Sequence, residues 1–280
     1  MDKVIKTLYI SDLDGTLLNP EALLSQSSAE RLNKLLAKGL IFTVATARTA
    51  ATAGHLVKPL KLSLPVILMN GVAVYDTKTE TYVKQHPMDR DTVQEVFKIL
   101  KAFKTPGFVY SIVDHKLMCF QPPNLNTRMS AFMEERKHDY GKVFTPINAY
   151  DVTKNKDVIY FTVIDEKQAL AKTYEAVRKL PGVQALLYED IYNDGYFLEI
   201  YACGVSKGQA ALWIKQEAGA DRLAVFSDNL NDLPMMEVSD FSYATANAKD
   251  KVKEKADLII GPNSEDSVVS VLEEAMTFGS

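Results

Sequence analysis

The chain has 280 residues and a hydrophobic fraction of 47%, enough to bury a sizeable core and too apolar for general disorder. Its formal net charge of −4, with signs interspersed, lacks the basic footprint that nucleic acid demands. No apolar run approaches the roughly 20 residues that span a bilayer, and Met1-Asp2-Lys3 lacks a signal-peptide pattern. The expectation is a globular cytoplasmic protein, monomer or weak homodimer, with no nucleic-acid and no membrane partner. Its two cysteines, Cys119 and Cys203, are far apart in sequence and outside any metal or redox pair, so both are expected as buried, inert thiols. A bound metal would have to use oxygen ligands.

An apolar run over residues 4–10 reads as a buried strand, and it delivers Asp12-Leu13-Asp14-Gly15-Thr16. Residues two apart on an extended segment point to one side, so Asp12 and Asp14 can present both carboxylates to one small volume. Two such charges about 4 Å apart repel by roughly 4 kcal/mol at an effective dielectric near 20, which asks for a hard cation. An acidic turn without a metal is the other reading of this stretch taken alone.

Ser27-Ser28-Ala29-Glu30 reads as a capping box opening a helix with Leu32, Leu35 and Leu36 on its apolar stripe and Gly39 at its end. A strand over 40–45 leads to Thr46-Ala47-Arg48 and a short helix over 49–56. A third strand over 65–69 delivers Asn70-Gly71, which reads either as a simple turn or as residues near a substrate. Alternating strands and helices imply a parallel sheet, whose ligands bind at the carboxyl ends of the strands.

The rhythm then changes. A hairpin spans 72–83, and a helix from about Asp91 carries Val93, Val96, Phe97, Leu100 and Phe103 on one face. Strands follow over 108–113 and 116–120 around an Asp114-His115 turn. Next come a helix over 127–138, a strand over 158–164, a helix over 167–180 and strands over 184–188 and 196–201. Ser206-Lys207-Gly208 opens a helix over 206–218 and restores the first rhythm. A buried strand over 222–227 ends in Asp228-Asn229-Leu230-Asn231-Asp232, and short strand and helix units close the chain.

The expected architecture is α/β: a Rossmann-like, doubly wound, mostly parallel core sheet with an inserted α+β cap domain. The core covers 1–83 and 196–280, and the cap covers 84–195. The core turns supply Asp12, Asp14, Thr46, Lys207, Asp228, Asn231 and Asp232. Gathered at one sheet edge, they suit a cation and a phosphoryl group.

These residues carry a resemblance. The sequence resembles the haloacid dehalogenase-like hydrolases, and among them the Cof-type phosphatases with an α/β cap between the second and third motifs. The first motif is Asp12-Leu13-Asp14-Gly15-Thr16, the second Thr46-Ala47-Arg48, the third Lys207 in Ser206-Lys207-Gly208, and the fourth Asp228-Asn229-Leu230-Asn231-Asp232. Ser227 and Ala47 stand where the family usually has glycine.

The resemblance implies a magnesium-dependent phosphomonoesterase acting on small phosphorylated metabolites through an aspartyl-phosphate. It implies Asp12 as nucleophile and Asp14 as acid and base, the latter tuned by neighbouring carboxylates. It assigns the phosphoryl oxygens to Leu13, Thr46, Ala47, Lys207 and Asn231. It assigns the magnesium ion to Asp12, Asp14 through its backbone carbonyl, and Asp228, with Asp232 either a direct ligand or set just behind them. A phosphomutase or phosphotransferase using the same intermediate, and a phospho-ligand sensor, remain the alternatives. Substrate choice is expected in the inserted segment, where Arg128, Arg136, Tyr192, Asn193 and Asp194 have no evident packing task.

Overall fold

The computed structural model describes residues 5–147, 157–189 and 195–278. It divides into two compact units: Met1–Lys84 with Ser206–Ser280, and Gln85–Val205 inserted between them in sequence.

The first unit is built on a five-stranded parallel sheet. Its strands are β1 (Thr7–Ser11), β2 (Ile41–Val44), β12 (Arg222–Ser227), β13 (Phe241–Thr245) and β14 (Leu258–Ile260), in the order β14-β13-β12-β1-β2. β1 lies between β2 and β12, in registers that pair Ser11 with both Val44 and Phe226, so all three strands end on the same edge.

Strand side chains alternate between faces. Leu8, Ile10, Leu223 and Val225 pack on α6 (Lys207–Glu217), α7 (Leu233–Val238) and α8 (Asp250–Lys255) through Ala210, Ile214, Met235 and Val252. Tyr9, Phe226 and Tyr243 stack with one another on the alternate positions. α1 (Gln26–Ala37) packs on α9 (Ser267–Phe278), where Arg31 pairs with Glu273 at 2.6 Å. This is the expected α/β fold with a parallel central sheet.

Two local expectations change. The N-cap of α1 is Ser25, whose side chain accepts from the Ser28 amide, so the helix starts two residues sooner than the Ser27 capping box suggests. β3 (Val66–Leu68) meets the main sheet through the Ala45–Ile67 bridge. It then forms a separate sheet with β4 (Ala73–Asp76) and β5 (Thr81–Gln85).

The second unit has a six-stranded mixed sheet. Its strands are β6 (Phe108–Val113), β7 (Lys116–Gln121), β8 (Phe144–Pro146), β9 (Val158–Asp165), β10 (Val183–Glu189) and β11 (Tyr196–Ala202), in the order β10-β11-β9-β6-β7-β8. Helices α3 (Arg90–Ala102) and α5 (Lys167–Val177) cover one face through Val96, Phe97, Leu170 and Val177. Asp114 and His115, at φ 48 and 59, make the tight β6–β7 hairpin turn.

β11 was expected with the core, on a boundary at residue 195. It pairs antiparallel with β9 and β10 instead, so the division falls at Val205/Ser206. Phe103 lies past the end of α3 and is 41% exposed rather than part of its apolar face. Cys119 is buried, and burial pushes its thiol up to about 11; Cys203, expected buried, is exposed. Among the described residues no helix is long and apolar enough to cross a membrane.

Candidate active site

The site begins where β1 stops. Asp12 still donates its amide to the Phe226 carbonyl at 3.0 Å, so its Cα is held as rigidly as the strand itself. The chain then turns at Asp14 (φ −73, ψ 123) and Gly15 (φ 76, ψ −1), values that match the central residues of a type II turn, which needs glycine at the second place. A Cβ on Gly15 would lie 2.3 Å from Asp228 Oδ2, so the glycine also lets the end of β12 approach. Thr245 Oγ1 and Asn247 Nδ2 donate to the Gly15 carbonyl at 3.2 and 2.8 Å, and Thr16 Oγ1 donates to Asp228 Oδ1 at 3.0 Å. The acidic turn is therefore fixed to the β12 and β13 loops at several points.

Lys207 enters at the first turn of α6, an unfavourable place for a cation in the helix dipole. Two acids outweigh that cost. Its Nζ lies 2.6 Å from Asp12 Oδ1 and 2.6 Å from Asp232 Oδ1, and its side chain is fully buried. Burial works to lower the Lys207 ammonium, and Asp12 and Asp232 overcome it, so the group is held charged. Asp232 uses its other oxygen to accept the amides of Asp228 and Asn229, each at 3.1 Å. Both of its oxygens thus have protein donors.

Ligand atoms of Asp12, Asp228 and Asp232 lie within 4.8 Å of one another. Burial raises the Asp12 carboxyl well above the ordinary range; Lys207 opposes the rise, while Asp232, Asp228 and Asp14 add to it. Burial, and then Asp232, push Asp228 up to about 7. Carboxylates crowded out of water around one ammonium make an oxygen donor set that a divalent cation would stabilise, so the residues present fit a hard metal. The Asp14 carboxylate is not in this cluster. Arg48 grips it with both arms of its guanidinium, Nε to Oδ2 at 2.8 Å and Nη2 to Oδ1 at 2.6 Å. Asp14 thus has an arginine partner in addition to the neighbouring Asp12 carboxylate, on which its charge acts.

Thr46 is buried one residue beyond the bridge that joins β2 to β3. Its Oγ1 accepts the Arg48 amide at 3.1 Å, which keeps its own O–H to donate. Asn231 is half-buried beside it in the chain's fold, with Nδ2 donating to Asn70 Oδ1 at 3.0 Å. Ala47 and Leu13 bring backbone amides from the same loops. Every core residue expected in the site therefore lies on the loops at the carboxyl edge of β1, β2 and β12 or at the start of α6.

Arg48 and Asn70 are the two partners whose roles the residue pattern left open. Of the residues considered for substrate choice, Arg136 packs on Phe132 and Tyr140 and pairs with Glu135. Arg128 lies 3.6 Å from Glu166. Tyr192, Asn193 and Asp194 lie outside the described residues.

A sequence model described as haloacid dehalogenase-like hydrolase matches residues 9–272. This chain is a haloacid dehalogenase-like hydrolase. The hydrolase is 26% identical over 263 residues to the pyridoxal phosphate phosphatase YbhA of Escherichia coli (strain K12), covering 93% of this chain and 95% of that protein. It is 26% identical over 273 residues to the 5-amino-6-(5-phospho-D-ribitylamino)uracil phosphatase YcsE of Bacillus subtilis (strain 168), covering 97% and 96%. A haloacid dehalogenase-like hydrolase from Bacteroides thetaiotaomicron has the same fold at a TM-score of 0.80 and 19% identity, covering 96% of this chain and 99% of that one.

Proposed function

We propose that this hydrolase is a divalent-metal-dependent, and specifically magnesium-dependent, phosphomonoesterase for small phosphorylated metabolites. The observation that carries the reading is the buried Lys207 ammonium held 2.6 Å from both Asp12 and Asp232, with Asp228 in reach of the same point. Such an edge offers a nucleophilic carboxylate, fixed positive charge and a set of oxygen ligands together. The relatives above are phosphatases by name, and the two substrates in their names are small phosphorylated molecules.

In this reading Asp12 attacks phosphorus in line and Asp14 gives its proton to the leaving oxygen, which departs as an alcohol. Water then attacks the aspartyl-phosphate, Asp14 takes the proton, and phosphate leaves with the Asp12 carboxylate restored. Lys207, Thr46, Asn231 and the amides of Leu13 and Ala47 bind the phosphoryl oxygens. Arg48 grips both oxygens of Asp14 with one bond to each, which orients the carboxyl and leaves a second lone pair on each oxygen for the proton. Asp12, Asp228 and the Asp14 carbonyl would hold the metal, with Asp232 set behind them by its Lys207 and amide bonds. A bound magnesium ion would neutralise the carboxylates and the charge of the phosphoryl group. The inserted unit, which follows the second motif and precedes the third in sequence, selects the substrate.

The test is phosphate release from p-nitrophenyl phosphate with magnesium, with EDTA, and with Asp12→Asn. Release that is unaffected by EDTA, or by the substitution, would overturn the mechanism.

A further inference from the structure

β3 ends at Leu68 in ordinary extended backbone, and the next three residues are all left-handed: Met69 at φ 51, Asn70 at φ 56 and Gly71 at φ 95. Glycine adopts this conformation freely and asparagine tolerates it, but methionine does so rarely. Such a run persists only where the surroundings over-determine it.

Here they do. The Met69 amide donates to the Arg48 carbonyl and the Asn70 amide to the Thr46 carbonyl, each at 3.1 Å. A Cβ on Gly71 would stand 2.2 Å from the Ser206 carbonyl oxygen, so the turn abuts the start of the helix that carries Lys207. The turn is wedged between the loops of Thr46 and of Lys207.

Its side chain reaches a third loop. Asn70 is 2% exposed, and its Oδ1 accepts from Asn231 Nδ2 at 3.0 Å across 161 residues of sequence. A primary amide nitrogen has two protons, so one is committed to Asn70 and the other is set in direction by that bond. Were the Asn231 amide reversed, two carbonyl oxygens would face each other. With Asn70 presenting Oδ1, the contact sets both the rotamer of Asn231 and which end of its amide points onward. A phosphoryl oxygen needs a donor there.

Resting on the phosphatase reading, we propose that Asn70 is a positioning residue of the phosphoryl site, holding Asn231 so that its second N–H faces the phosphoryl oxygens. The backbone shape of the turn would be served as well by glycine at position 70; what glycine cannot supply is the acceptor for Asn231. Shape and side-chain function can thus be separated.

The experiment compares the wild type with Asn70→Gly, Asn231→Ala and the double variant. It measures kcat and KM for p-nitrophenyl phosphate with magnesium, inhibition by inorganic phosphate, and the melting temperature. Asn70→Gly should melt at or above the wild-type temperature, because glycine adopts φ near 56 without strain. Its KM and its inhibition constant for phosphate should rise about tenfold, the scale of one hydrogen bond to a charged group. In the Asn231→Ala background the same change should add less than about twofold, because a residue that acts through another has nothing left to position. An Asn70→Gly enzyme with wild-type KM, single effects that multiply in the double variant, or an activity loss matched by a lowered melting temperature would each overturn the proposal. Absence of turnover by the wild-type chain would overturn the phosphatase reading itself, a result distinct from normal wild-type turnover with a silent Asn70→Gly.

Discussion

Gly15→Ala tests the geometry of the acidic turn with the smallest change available. Two effects follow from the structure, and they differ in size. The backbone at Gly15 sits at φ 76, where an alanine costs on the order of 1–2 kcal/mol, a fall in melting temperature of about 2–4 °C per kcal/mol for a protein of this size class. The added methyl would also stand 2.3 Å from Asp228 Oδ2, more than 1 Å inside ordinary contact, and 2.8 Å from its carboxyl carbon. The carboxylate has to move, and Thr16, which donates to its other oxygen at 3.0 Å, is pulled with it. A displacement of about 1 Å at a catalytic constellation costs on the order of 10²-fold in rate, or about 2.7 kcal/mol of transition-state stabilisation. The expected variant folds, melts several degrees lower, loses about 10²-fold in kcat/KM toward p-nitrophenyl phosphate and requires more magnesium for half-maximal rate. Kinetics across a magnesium titration, with a melting curve on the same sample, measure all three. A variant with wild-type kcat/KM and wild-type magnesium dependence would refute the placement of Asp228 against Gly15 as a functional contact.

Lys207→Met leaves Asp12 and Asp232 facing each other without their shared ammonium, so unfolding in EDTA should cost about 3–5 kcal/mol less than in the wild type; an unchanged midpoint would contradict the buried pairing. Ser227 carries a buried hydroxyl with no hydrogen-bond partner among the described residues, where the resemblance leads one to expect glycine, and Ser227→Ala should stabilise the chain by about 1 kcal/mol in a denaturant titration; destabilisation would show that the hydroxyl is satisfied. Burial lowers the Lys142 ammonium from 10.5 to about 8, so between those values the unfolded chain binds more protons and stability rises with pH. Lys142→Met should therefore melt higher than the wild type at pH 7, with the difference narrowing as pH climbs from about 8 toward about 10; a constant difference would show that Lys142 is not titrating there.

What was legible in the residues is what local chemistry determines. The Asp14-Gly15 turn follows from strand periodicity and from the need for glycine at positive φ. The gathering of Asp12, Thr46 and Asp228 follows from parallel strands whose ends share an edge. Pairings between distant segments were not legible. β11 has the same alternating pattern whichever sheet it joins, so its place beside β9 and β10 could not be read from residues 196–202. β8, with the sequence Phe-Thr-Pro, is too short and ends in too poor a strand former to signal itself. The Arg48 fork on Asp14 joins residues 34 apart through side-chain rotamers that no spacing rule reports. Asn70-Gly71 gave the signature of a turn correctly, yet its link to Asn231 exists only once four loops have been brought together.

The charge count at this edge distinguishes the candidate functions better than any single residue. Asp12, Asp14, Asp228 and Asp232 face two cations, Lys207 and Arg48, and each cation is already engaged with those acids. With all four acids ionised, a phosphate dianion approaching such a site meets a net negative potential, and backbone amides offset it only in part. A protein built merely to sense a phosphorylated ligand would do better with the lysine and amides alone, since every carboxylate added weakens anion binding. The acids make physical sense if one of them attacks phosphorus, another moves a proton, and the rest hold a cation that restores the balance when substrate arrives. Removal of Asp228 should then weaken phosphate binding rather than strengthen it, the reverse of what simple repulsion between like charges dictates.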